Sequence, residues 1–139
     1  MSPVFQICIG LALLALTLVM HLTAVNVSLT RVSARIKIIR EDGGALHKTI
    51  LVMTYVIFLS LVLLVEAIVW AIAFLAMGVA SGFWQAVYFS IVTLTTLGYG
   101  DLVPPENAQM VAAFCAMAGL FLVGLSTAFV VEILRRIDT

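Results

Sequence analysis

Three stretches of this sequence carry almost no charge, and they decide what the chain can fold into. Residues 4–25 carry none, residues 50–79 carry only Glu66, and residues 111–131 carry none. Each reaches the roughly 20 residues needed to cross about 30 Å of hydrocarbon. Every backbone N–H and C=O in hydrocarbon must be satisfied inside the protein, so the three runs are expected as membrane-spanning helices. A chain of 139 residues, 64% hydrophobic, holds one domain of this kind. The first run does not read as a secretory signal. No basic residue precedes it, it is longer than an apolar signal core, and no small-x-small cleavage site follows. It is read as a retained helix.

Charge fixes the expected orientation. The seven basic residues are Arg31, Arg35, Lys37, Arg40 and Lys48 between the first two runs, and Arg135 and Arg136 after the third. Excess Lys and Arg marks cytoplasmic segments. The expected topology is multi-pass in the cell membrane, with the N-terminus outside and the C-terminus cytoplasmic, so that residues 81–107 begin and end on the outer face. Formal net charge is zero, and no nucleic-acid partner is expected. The basic segment "RVSARIKIIR" lacks the every-third-residue arginines of a voltage sensor and lies outside a span. Val32, Ile36 and Ile39 share one helical face, which suits a segment on the membrane surface with anionic lipid as its partner. "EDGG", residues 41–44, is expected to break that helix, and His47 is expected to be solvated. The few residues after the third run leave no room for a nucleotide- or calcium-binding regulatory domain.

Between the second and third runs lies a stretch too short to span. Residues 83–95, "FWQAVYFSIVTLT", would form a helix of about 20 Å, half a bilayer. The hydroxyl- and glycine-rich "TLTTLGYGD" follows. Irregular backbone at membrane depth is tolerated only where protein or a water-filled pore surrounds it, so this loop is predicted to line something wet.

The residues "TTLGYGD" resemble the selectivity-filter signature of tetrameric potassium channels, and the surrounding order of outer helix, pore helix, filter and inner helix is similar to small prokaryotic members with one pore domain per chain. The resemblance implies an all-α membrane protein: three transmembrane helices, a re-entrant pore helix and a filter loop, assembled as a homotetramer because a carbonyl cage needs four strands around one axis. It implies passive, K⁺-selective conduction, with ion-coordinating oxygens from Thr96, Leu97, Gly98 and Tyr99 and support from Thr95, Gly100, Asp101 and Tyr88. Carbonyls that all face one axis require alternate residues at positive φ or similarly strained values, which glycine adopts freely. Tyr99 would point outward and brace the strand against the pore helices. Two positions depart from the family pattern. Leu97 stands where many members have Val or Ile, and Val92 stands where some carry a glutamate that pairs with the aspartate. Tyr88 sits where relatives place an aromatic that hydrogen-bonds that aspartate.

The implied architecture divides the chain into an extra N-terminal transmembrane helix (1–27), a basic cytoplasmic linker (28–49) and a pore domain (50–139). Within the last are an outer helix (50–79), pore helix (83–95), filter (96–101) and inner helix (108–134). The extra helix would pack outside the outer helix through Gly10, Ala12 and Ala15. On the inner helix, Leu120, Val123 and Thr127 recur at helical spacing and would face a cavity below the filter. Gly119 is either a hinge, as in resembling channels, or a close-packing residue. Glu132 forms either a ring at the inner mouth or an ion pair with Arg135 and Arg136. Glu66, the one acid deep in a span, is within expected reach of Ser90 or Thr93 and is read as structural. His21, near the cytoplasmic end of the first span, should snorkel or find a local partner. Cys8 and Cys115 are expected as small packing residues.

No cofactor is expected beyond K⁺ bound as the transported species. The alternative is a pore-forming or regulatory subunit that functions only with another channel protein. An enzyme would need His21 and Glu66 to act together, and no nucleophile motif or metal-ligand spacing supports one.

Overall fold

The computed structural model describes residues 1–42 and 44–138, with the side chains of 33–42 and 138 outside that description. The described residues form four helices: α1 (Pro3–Asp42), α2 (Ala45–Ala76), α3 (Phe83–Leu94) and α4 (Gln109–Asp138). Three of them are long and apolar enough to cross a membrane, over Pro3–Val32, Ala45–Ala76 and Gln109–Ile137.

Local signals set the helix ends. Ser2 caps α1, its Oγ accepting from the Phe5 N–H at 3.4 Å, and Pro3 stands at the first helical position, where its missing N–H costs nothing. The helix then runs 40 residues, because neither Gly nor Pro occurs from Leu11 to Asp42. The basic linker expected over residues 28–49 is therefore not a separate element up to Asp42. It continues α1 as far as Asp42, and α2 begins at Ala45. Of the three residues expected on a membrane-facing stripe, Val32 is instead fully buried among Phe129, Ile133 and Ile137. Ile36 and Ile39 lie outside the described side chains.

α2 ends in a Schellman motif. Gly78 takes φ +73°, its N–H bonds the Leu75 carbonyl, and the Val79 N–H bonds the Phe74 carbonyl, satisfying two of the carbonyls that a helix end orphans. α3 starts after Gly82, and its first-turn Gln85 reaches back so that Oε1 accepts from both the Ser81 N–H (2.9 Å) and the Ser81 hydroxyl (2.8 Å). α4 borrows its cap from another helix: the buried Gln6 of α1 accepts from the Met110 N–H and donates to the Glu106 carbonyl, each at 3.2 Å.

α2 packs on the pore-side helix α3, and α1 packs mainly along α4, less on α2. The expected placement of the first helix outside the second is thus corrected. A Cβ on Gly10 would sit 2.5 Å from the Phe114 ring of α4, so the small residue lets α1 approach α4. The larger core cluster joins Trp70 and Phe74 of α2, Phe89 and Leu94 of α3, and Cys115 and Leu122 of α4. Phe74 meets Phe89 edge-on with centroids 4.9 Å apart, a preferred aromatic geometry. Cys115 fills core as expected, while Cys8 is exposed, and both are free.

Candidate ion-conduction site

α3 is 12 residues long, about 18 Å at 1.5 Å per residue, and it ends where the loop begins. Its last turn winds tightly. The Val92 carbonyl accepts from both the Leu97 N–H (3.0 Å) and the Gly98 N–H (3.3 Å), and the Thr96 N–H bonds the Thr93 carbonyl at 2.9 Å. The loop is thus tied to the helix C-terminus by main chain alone. Thr95 folds its hydroxyl back onto the Ile91 carbonyl at 2.8 Å.

Beyond that tie the backbone alternates. Thr96 has φ +58°, Gly98 +53° and Gly100 +78°, while Leu97 and Tyr99 are not at positive φ. Alternation at every second residue was expected at the two glycines. At Thr96 it was not, because a β-branched side chain at positive φ is a genuine outlier. Such strain persists only where the surroundings over-determine it, and it gathers at functional sites.

The outer end of the loop is held by a side chain. The Tyr88 hydroxyl donates to Asp101 Oδ2 at 2.7 Å, the bond expected of Tyr88, and Asp101 Oδ1 accepts from the Leu102 N–H at 3.1 Å. The hydrogen bond to Asp101 raises the Tyr88 pKa above its usual value, with desolvation and the neighbouring carboxylate acting in the same direction. Val92, at the position where the family pattern can have glutamate, is buried. Tyr99 and Leu97 are 67% and 55% exposed, so Tyr99 is not braced on the pore helix of its own chain.

On α4, Gly119 meets the end of α3. A Cβ there would fall 1.6 Å from the Leu94 carbonyl oxygen, so this glycine is where the inner helix touches the pore helix backbone to backbone. Leu120 and Val123, on the next turn of α4, are exposed. Thr127 is also exposed and bonds the Val123 carbonyl at 2.9 Å. Near the end of α4, Arg136 Nε donates to Glu132 Oε1 at 2.7 Å. That is the intrahelical pair weighed for Glu132, made here with Arg136.

Glu66 is not bonded to Ser90, whose hydroxyl donates to the Ala86 carbonyl at 2.9 Å. Glu66 Oε1 instead lies 3.1 Å from His21 Nδ1, both side chains being fully buried. The other ring nitrogen, Nε2, lies 3.2 Å from Ser126 Oγ. His21 is thus well inside the span Pro3–Val32, where it joins α1 to both α2 and α4. Glu66 Oε2 and Trp70 Nε1 have no hydrogen-bond partner among the described residues. Reading one residue at a time missed this network and the Gln6 cap. The signal available was a polar residue alone in an apolar run.

A protein-family profile described as "Ion channel" matches residues 50–136. Among curated proteins, the chain is 51% identical over 45 residues to "Two-pore potassium channel 1" of Arabidopsis thaliana, covering 32% of this chain and 12% of that protein. It is 40% identical over 53 residues to "Potassium voltage-gated channel protein Shal" of Drosophila melanogaster, covering 37% and 9%. It is 43% identical over 52 residues to "Voltage-gated potassium channel KCNC1" of Mus musculus, also covering 37% and 9%. The matches span about a tenth of these relatives' length. No solved structure gives a significant match. The family match takes in most of α2, the half-length α3, the alternating loop and most of α4, and the chain is a membrane protein of the ion-channel family.

Proposed function

We propose that this chain forms a potassium-selective channel, four copies surrounding one pore, that lets K⁺ move passively down its gradient. The observation that carries the reading is the alternation of backbone sign at Thr96, Gly98 and Gly100, directly after a half-length helix and between two spans. A strand of alternating hand turns successive carbonyls toward one side. Four such strands would replace the water shell of a dehydrated cation, with Thr96, Leu97, Gly98 and Tyr99 supplying oxygens. Exposure of Leu97, Tyr99, Leu120 and Val123 in the single chain supports assembly, since these faces would meet other copies or the pore. The C-terminal ends of four α3 helices would add partial negative charge toward a cavity beneath. In this reading the termini lie as the basic residues predict, with the N-terminus outside and the positively charged end of α1 at the cytoplasmic face, where anionic lipid is a partner.

The test is flux through liposomes containing this chain alone. K⁺ and Rb⁺ should pass, Na⁺ should be excluded, and Ba²⁺, close to K⁺ in size, should block. Equal Na⁺ and K⁺ flux would defeat the selectivity. An absence of flux from the chain by itself would favour a subunit that needs another channel protein.

A further inference from the structure

Between α1 and α2 runs a groove of about 940 Å³. One wall is the Val19 to Arg31 face of α1 and the other is the His47 to Phe58 face of α2. Along α1 the wall runs from Val19 to Arg31, about 18 Å at helical rise, which is close to one leaflet, half of about 30 Å. Its lining is polarised. Val19, Met20, Ala24 and Val27 make an apolar trough, while the basic side chains Arg31 and His47 sit where each wall approaches the break between the helices, and no acid lines it among the described residues. The sequence from Arg31 to Lys48 holds five basic against two acidic residues.

One polar atom in this groove stands apart. Thr23 and Thr54, which also line it, donate to the carbonyls four residues back, at 2.7 and 2.8 Å, as Thr17, Ser60 and Ser90 do elsewhere. Ser28 is 6% exposed, and its Oγ has no partner among the described residues. A buried hydroxyl without a partner is costly and calls for an explanation. Ser28 is three residues, about 4.5 Å of rise, to the apolar side of Arg31.

We propose that this groove is a binding site for an anionic phospholipid of the cytoplasmic leaflet, with one acyl chain in the trough, the phosphate at Arg31 and His47, and an ester carbonyl accepting from Ser28. The order of groups fits: anion at the basic end, acceptor a few ångströms deeper, hydrocarbon beyond. The proposal rests on the channel reading and its orientation, and it adds a defined pocket to what would otherwise be a diffuse charge attraction.

The experiment is native mass spectrometry of the detergent-solubilised full chain, titrated with phosphatidylglycerol and with phosphatidylcholine of the same acyl chains, beside a K⁺ flux assay on the same preparations. The wild type should retain phosphatidylglycerol at least about fivefold better, the worth of one basic residue near an anionic lipid. Arg31→Gln should erase most of that preference, and Ser28→Ala should weaken retention of both lipids. Ala24→Trp, which fills the trough and keeps every charge, should lower retention of both lipids while leaving K⁺ flux in place. If Ala24→Trp does not assemble, Val27→Trp on the exposed rim of the same wall reads the same quantity. Equal retention of the two lipids overturns the site. So does an effect of Arg31→Gln with none from either tryptophan variant, which would mean surface charge alone. Disulfide cross-linking between copies through Ala24→Cys would assign the groove to a subunit interface and also overturn it. Loss of selective K⁺ flux in the wild type would strike the channel reading separately, whatever the lipid counts.

Discussion

Thr96 holds φ +58° with a branched Cβ, a conformation that costs roughly 1–2 kcal/mol relative to the right-handed side. Its neighbours in the alternation are glycines, for which that cost vanishes. Gly98→Ala would bring the same steric charge to Gly98, on the order of 1 kcal/mol in every copy of an assembly. The expected outcome is loss of K⁺ over Na⁺ discrimination or of conduction altogether. Gly124→Ala is the control, because Gly124 is not at positive φ and nothing lies within 4 Å of a Cβ built there. Selectivity ratios from bi-ionic flux should separate the two variants. A Gly98→Ala channel that still excludes Na⁺ would remove Gly98 from the filter. At this scale much was legible. Two glycines spaced by one residue announce their positive φ, and the Tyr88–Asp101 bond was implied by the family resemblance, which places a hydrogen-bonding aromatic at Tyr88. The Thr96 conformation was not legible, since nothing in a threonine advertises strain imposed by the hydrogen bonds that the Val92 carbonyl accepts from the loop.

Helices are easier to find in this chain than to place. Their extents follow from hydropathy and from the breakers: the glycine pair after Asp42, Gly78, and the prolines before α4. The meeting of His21 with Glu66 was also within reach. His21 stands 21 residues before the end of α1 at Asp42, and Glu66 stands 21 after the start of α2 at Ala45, so two antiparallel helices joined by a short break put them level. Treating residues 28–49 as a linker hid that symmetry, because it shortened α1 and moved His21 toward the membrane surface. Truncating the acid tests the pair. Glu66→Ala strands a fully buried imidazole and should cost about 1–3 kcal/mol, whereas Glu66→Gln keeps a hydrogen-bonding oxygen and should cost less. Thermal unfolding in detergent would rank them. A Glu66→Ala protein as stable as the wild type would show that the 3.1 Å contact contributes nothing to holding α1.

The arrangement of the whole chain was the least legible level, and the reason is physical. Faces of membrane helices are apolar whether they meet lipid or protein, so periodicity does not say which face packs where, and α1, expected against α2, packs on it but lies mainly along α4. Its true position bears on how such a pore moves. α1 grips α4 above Gly119 through the Gln6 cap at Met110 and the Gly10–Phe114 approach. It grips α4 again below Gly119 through His21 and Ser126, and through the cluster of Val32 with Phe129 and Ile133. The helix outside the pore is therefore a splint strapped on both sides of the joint that an inner helix would flex. In the proposed channel a bend at Gly119 would have to slide the lower strap or carry α1 with it, so stiffness of its gate would belong to α1, a segment assigned no ion-coordinating residue. Cutting one strap should show this. Ser126→Ala removes the lower polar tie without changing Thr127, proposed to face the pore, and single-channel records should show an altered open fraction at unchanged K⁺ over Na⁺ selectivity. An open fraction equal to the wild type would mean that α1 rides on the inner helix as a passenger and sets no resistance to its bending.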